Sequence, residues 1–126
     1  MPVNPYQKYQ QQSIMTMTPG ELLLKLYDET IKQLRYGEDA LQQKQYERAN
    51  TSLQKAQRII NHLNKTLAME YEISQNLEAL YDFFNYKITQ ANVHKDATHI
   101  GEILPMVTDL RDAFAQAEKQ VAAGNK

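Results

Sequence analysis

The stretch ANTSLQKAQRIINHLNKTL, residues 49–67, decides the fold. Its apolar residues Ala49, Leu53, Ala56, Ile60, Leu63 and Leu67 step alternately by four and three, and Ile59 widens the row. That spacing, a repeat of about 3.5 residues, lines one face of an α-helix; a strand would need a period of two. The remaining positions are almost all polar. A helix with one apolar stripe cannot hide it alone, so partner helices must follow.

They do, on both sides. Upstream, Thr18-Pro19-Gly20-Glu21 reads as a helix start: Thr18 caps, Pro19 suits the first helical position, and Glu21 stands three residues after the cap. Leu23, Leu26, Tyr27, Ile31, Leu34 and Leu41 then step by threes and fours or their multiples toward Lys44, with Gly37 on or near the buried row. Downstream, Ile73, Leu77, Leu80, Tyr81, Phe84, Ile88 and Ala91 repeat the pattern. Asp96 or Thr98 caps a last helix with the stripe Ile100, Ile103, Leu104, Val107, Leu110, Phe114, Ala117 and Val121. Pro105 falls within that stripe and should bend the helix, because it removes a backbone donor and crowds the preceding turn.

The links near Gln45, between Ala68 and Glu72, and from His94 to Asp96 are short. Short links between long amphipathic helices force neighbours to run antiparallel. The expected fold is all-α: an antiparallel up-down four-helix bundle. Residues 1–17 read as an N-terminal arm or short helix, 18–122 as the bundle domain and 123–126 as a frayed C-terminus.

Composition removes several functions. The chain has 126 residues, enough for one domain, with 14 Lys and Arg against 15 Asp and Glu. A net charge of −1 argues against a nucleic-acid binder held by counterion release. Absence of Cys excludes disulfides, thiolate nucleophiles and Cys-based metal sites. No apolar run is long enough to insert in a membrane, and the N-terminus has no apolar signal core, so a cytoplasmic location is expected. No Gly-rich phosphate loop is present. Asp96, His99 and Glu102 form one isolated polar group without the Glu and His residues that a di-metal bundle supplies from several helices. Asp96 reads as a cap, and His62 as a boundary residue. Neither enzymatic activity nor any cofactor or metal is expected.

The informative signal is apolar surplus. Leu22, Leu23, Leu24, Leu26 and Tyr27 cover most of a helix circumference, as do Leu80, Tyr81, Phe83, Phe84 and Tyr86. Some of these must face outward, toward a partner groove, the N-terminal arm or a second copy. Tyr6, Tyr9 and Ile14 stand out on the polar arm as anchors.

Ordered motifs then carry a resemblance. Asn4-Pro5-Tyr6-x-x-Tyr9-Gln10-Gln11, Ser13-Ile14, Thr16-x-Thr18-Pro19-Gly20-Glu21-Leu22 and Leu26-Tyr27-Asp28 resemble the opening signature of the flagellar secretion chaperone family FliS. The likeness continues in Lys55-Ala56-Gln57-x-Ile59-Ile60-x-x-Leu63-Asn64-x-Thr66-Leu67, in Leu80-Tyr81-Asp82-Phe83 and in Ala91-Asn92. The resemblance implies a cytoplasmic chaperone that binds the C-terminal segment of flagellin in apolar helix grooves and prevents premature polymerisation. It also implies delivery to the type III export apparatus, whose components are further partner candidates, and an arm that can cover the groove. Lys25 and Glu29 depart from the family pattern, so the groove near the first helix is differently lined. The groove or arm candidates are Tyr6, Tyr9, Ile14, Leu22, Leu26, Tyr27, Ile59, Ile60, Leu63, Leu67, Tyr81 and Phe84. The alternative is a self-associating structural bundle without a flagellin client. Near-neutral charge predicts client binding by apolar burial with weak salt dependence.

Overall fold

Four helices, joined by links of three to six residues, account for nearly all of residues 16–124, the part of the chain that a computed structural model describes. They are α1 (Pro19–Gln42), α2 (Tyr46–Lys65), α3 (Glu72–His94) and α4 (Thr98–Gly124). α1 packs on α2 and α4, and α3 packs on the same two, which closes a ring in the order of the chain. The four-helix bundle expected from the stripes is the fold observed.

Local chemistry sets the helix ends. Thr18 Oγ1 accepts a hydrogen bond from the Glu21 amide at 3.2 Å, capping α1 ahead of Pro19. α1 and α3 stop the same way. The Gln45 amide reaches back to the Ala40 carbonyl at 2.8 Å, and the Asp96 amide to the Ala91 carbonyl at 3.0 Å. Each bond encloses one left-handed residue, Lys44 at φ 60° and Lys95 at φ 56°, where glycine is the usual choice. At the start of α4 the Asp96 carboxylate accepts the Thr98 amide at 3.0 Å, as the sequence suggested. That backbone hydrogen bond holds the Asp96 carboxyl below its ordinary pKa.

The stripe of α2 is core as expected. Ala49, Leu53, Ala56, Ile60 and Leu63 are all buried, facing Leu34, Phe84, Ile88, Ile100 and Ile103. Two expectations fail near helix ends. Ile73 is 62% exposed, and Ser74, three residues before Leu77, is buried in its place. Ala117 and Val121 are exposed, because Glu118 already lies level with Thr18 at the start of α1 and α4 outruns its neighbours. Pro105 lies within α4, which is one helix through Gly124, and the proline faces solvent.

Burial is graded along the bundle axis. Toward one end, where α1 turns into α2 and α3 into α4, the core is tight and rich in small residues: Gly37, Ala40, Ala49 and Ala91. At the opposite end Leu22, Leu23, Leu26, Leu67, Leu80, Leu110 and Phe114 are only half-buried. The bundle is closed at one end and open at the other.

Candidate client groove

The open end is built from the first turns of α1 and α3 and the last turns of α2 and α4. Leu22, Leu23 and Leu26 project from α1, Leu67 follows α2, Leu80 comes from α3, and Leu110 and Phe114 come from α4. Beneath them lies Tyr27, whose ring packs on Phe114 with centroids 5.5 Å apart. The Tyr27 hydroxyl is hydrogen-bonded to that of Tyr81, across the bundle from α1 to α3. Burial raises the pKa of both phenols, and for Tyr27 the bond to Tyr81 raises it further. This pair forms a polar floor under an apolar mouth.

Three of the four seams between helices carry polar bonds, and these differ in chemistry. α2 and α3 are stitched by amides: Asn92 donates to Asn50 at 2.8 Å, Asn85 to Asn61 at 2.8 Å, and Gln57 to Thr89 at 3.0 Å. α1 and α4 are joined by the Arg111 guanidinium on Asp28 at 2.8 Å, and that hydrogen bond raises the Arg111 pKa. α3 and α4 share one ion pair, Lys87 to Glu102 at 2.6 Å, near the closed end. Among the described residues no hydrogen bond or ion pair joins α3 to the part of α4 beyond Glu102. That lower stretch runs into the open mouth, and on α3 Phe83, four residues before Lys87 and 40% exposed, shares the face that turns toward α4. The half-buried apolar side chains of the open end thus lie where the polar stitching between α3 and α4 stops.

The candidates from sequence divide into three groups. Tyr6, Tyr9 and Ile14 lie outside the described residues. Leu22, Leu26, Ile59 and Leu67 are half-buried, and all but Ile59 belong to the open end. Tyr27, Ile60, Leu63, Tyr81 and Phe84 are at most 3% exposed. These five are core, so they offer a partner no surface while the helices stay packed. The reason is directional: their side chains point to the axis of the bundle, where the helices meet. Leu23, Leu110 and Phe114 belong at the mouth. Leu110 and Phe114 were read as plain stripe residues, and Leu23 as both stripe and apolar surplus, because periodicity carries no information about depth along the axis.

The Asp96, His99 and Glu102 group is dispersed. His99 Nε2 is 3.8 Å from Asp96, while Glu102 binds Lys87. Among the described residues no three His, Cys, Asp or Glu side chains gather to hold a metal ion, and no helix is long and apolar enough to cross a membrane.

A four-helix bundle whose apolar core runs out to the surface at one end is the class of protein that fold and groove define. Residues 2–121 match the family model described as flagellar protein FliS, and the chain belongs to that family. The flagellar secretion chaperone FliS of Bacillus subtilis (strain 168) is 44% identical over 114 residues, spanning 90% of this chain and 86% of that one. The protein of the same name from Vibrio cholerae is 32% identical, spanning 79% and 74% of the two chains. A solved structure described as a flagellar chaperone from bacteria superposes with a TM-score of 0.76 at 26% identity, covering 91% of this chain and 95% of that one.

Proposed function

We propose that this protein is a cytoplasmic export chaperone that holds the C-terminal segment of flagellin and hands it to the flagellar export apparatus. Family membership supports a chaperone role in flagellar export; the observation that carries the client mode is the apolar mouth. A segment destined for a helical filament core is amphipathic and sticky when free. Laying its apolar face on Leu23, Leu80, Leu110 and Phe114 gives it a temporary helical partner, the helix-in-groove mode of recognition. Ordering such a segment costs about 2–5 kcal/mol or more, so contact must extend beyond the mouth. The lower α3/α4 seam and Phe83 provide that extension. Residues 1–17 precede the first turn of α1, one of the elements of the mouth, and on this reading an arm carrying Tyr6, Tyr9 and Ile14 competes with the client. Occupancy by the arm would reduce apparent affinity in proportion to the fraction of grooves it fills.

The test is titration with a flagellin C-terminal peptide of roughly 40 residues, room for two or three helices of average length. Helicity should rise on binding, and Leu110→Gln should weaken binding about tenfold while the free protein keeps its circular dichroism. Tyr6→Ala and Tyr9→Ala should change affinity without changing the thermal midpoint. Absence of peptide binding, together with concentration-dependent sedimentation, would favour the self-associating bundle instead.

A further inference from the structure

The outward face of α2 has no part in the mouth, and its chemistry is of another kind. Arg48, Lys55, Arg58, His62 and Lys65 step along the helix by seven, three, four and three, and all are exposed. This is one row of bases about 26 Å long at 1.5 Å per residue. α2 contains four Lys or Arg and one carboxylate, Glu47, a surplus of three positive charges. In a chain of net charge −1, the rest therefore carries a surplus of four negative charges.

The fold does not use the row. Lys87 and Arg111 reach carboxylates at 2.6 and 2.8 Å, but among the described residues no Lys or Arg of α2 forms an ion pair. Arg48 donates instead to the neutral Gln45 side chain at 2.8 Å. Glu78 of α3 borders the same shallow depression as Lys65 without pairing to it. Like charges three residues apart repel along a helix, so Lys55 and Arg58 weaken α2 in isolation. A matching row of carboxylates would reverse that sign.

We infer that this face of α2 docks an acidic helical segment of a partner protein, aligned along the row. The heptad-like spacing favours a helix, whose carboxylates repeat at the same interval. A lipid surface fits less well, because Thr51, Gln54 and Asn61 flank the bases and the one apolar neighbour, Ile59, is half-buried in the bundle. A nucleic-acid duplex is disfavoured by the net negative charge of the other helices.

The inference is independent of the flagellin reading, and salt separates them, since the mouth is apolar. The probe is a fluorescent helical peptide of about three heptads with Glu at heptad-spaced positions, followed by anisotropy with the full chain. Binding should weaken about tenfold or more between roughly 50 and 300 mM salt, the range over which screening shortens sharply. The triple variant Lys55→Gln/Arg58→Gln/Lys65→Gln should bind at least about tenfold more weakly at low salt. Its circular dichroism and its affinity for the flagellin peptide should be unchanged. A control of equal net charge, Lys32→Gln/Arg35→Gln/Lys119→Gln, should bind the probe like wild type. Equal loss in both triple variants would mean nonspecific attraction and overturn the assignment, as would absence of probe binding. Tighter, α2-dependent binding to phosphatidylglycerol vesicles or duplex DNA would overturn it in favour of those surfaces.

Discussion

Gly37 lacks a side chain where α1 meets α2. A Cβ there would lie 2.5 Å from Leu53 Cδ2, and Leu53 is fully buried and cannot swing aside. Gly37→Ala should therefore destabilise the bundle by about 1–3 kcal/mol despite its better helix propensity, read from the denaturation midpoint. The sequence already placed Gly37 on or near the buried row; that the close neighbour is Leu53 was not legible, since it depends on the rotation of both helices. The Tyr27–Tyr81 pair gives a pH prediction. Both phenols hold their protons in the folded state to higher pH than in the unfolded chain, where they ionise near pH 10. Their contribution is intact below that pH and is lost as pH rises above it, because only the unfolded state then releases protons. Wild type should lose stability above about pH 10 more steeply than Tyr27→Phe/Tyr81→Phe. Parallel alkaline profiles would show that the pair does not titrate with folding.

Among elements, α2 was the most legible, because its apolar row is narrow, regular and flanked by polar residues; five of its six stripe positions are buried. The ends of α3 and α4 were less so. Ile73 and Val121 continue their stripes in register, yet they lie where neighbouring helices have stopped or started, and a stripe does not announce the length of its neighbours. The same blindness mixed core with groove. Leu63 was offered as a groove residue, and at 3% exposure it is core. Leu63→Ala should cost about 2–5 kcal/mol, as for other large-to-small core changes. An unchanged denaturation midpoint would contradict that placement. Pro105 is tolerated because it sits on the solvent side of α4, where water can take up the carbonyl it frees.

For the whole molecule, the gradient of burial is the property no single stripe contains. It emerges from four helices with small residues at one end and large, half-covered ones at the other. Amide hydrogen exchange should follow it: slow around Leu34 to Leu41, Leu53, Ile88 and Ile103, faster at both the start of α1 and the end of α4. Saturating flagellin peptide should slow the second group selectively; uniform protection in the free protein would remove the basis for an open end. The contact between Thr18 Oγ1 and Glu118 Oε1, 3.4 Å apart, also brings the beginning and end of the described chain to that same end. A bulky label attached at Thr18 or Glu118 would thus sit at the entrance and obstruct traffic through it. An insertion at the Lys95 turn, or a circular permutant opened there, would leave the doorway clear.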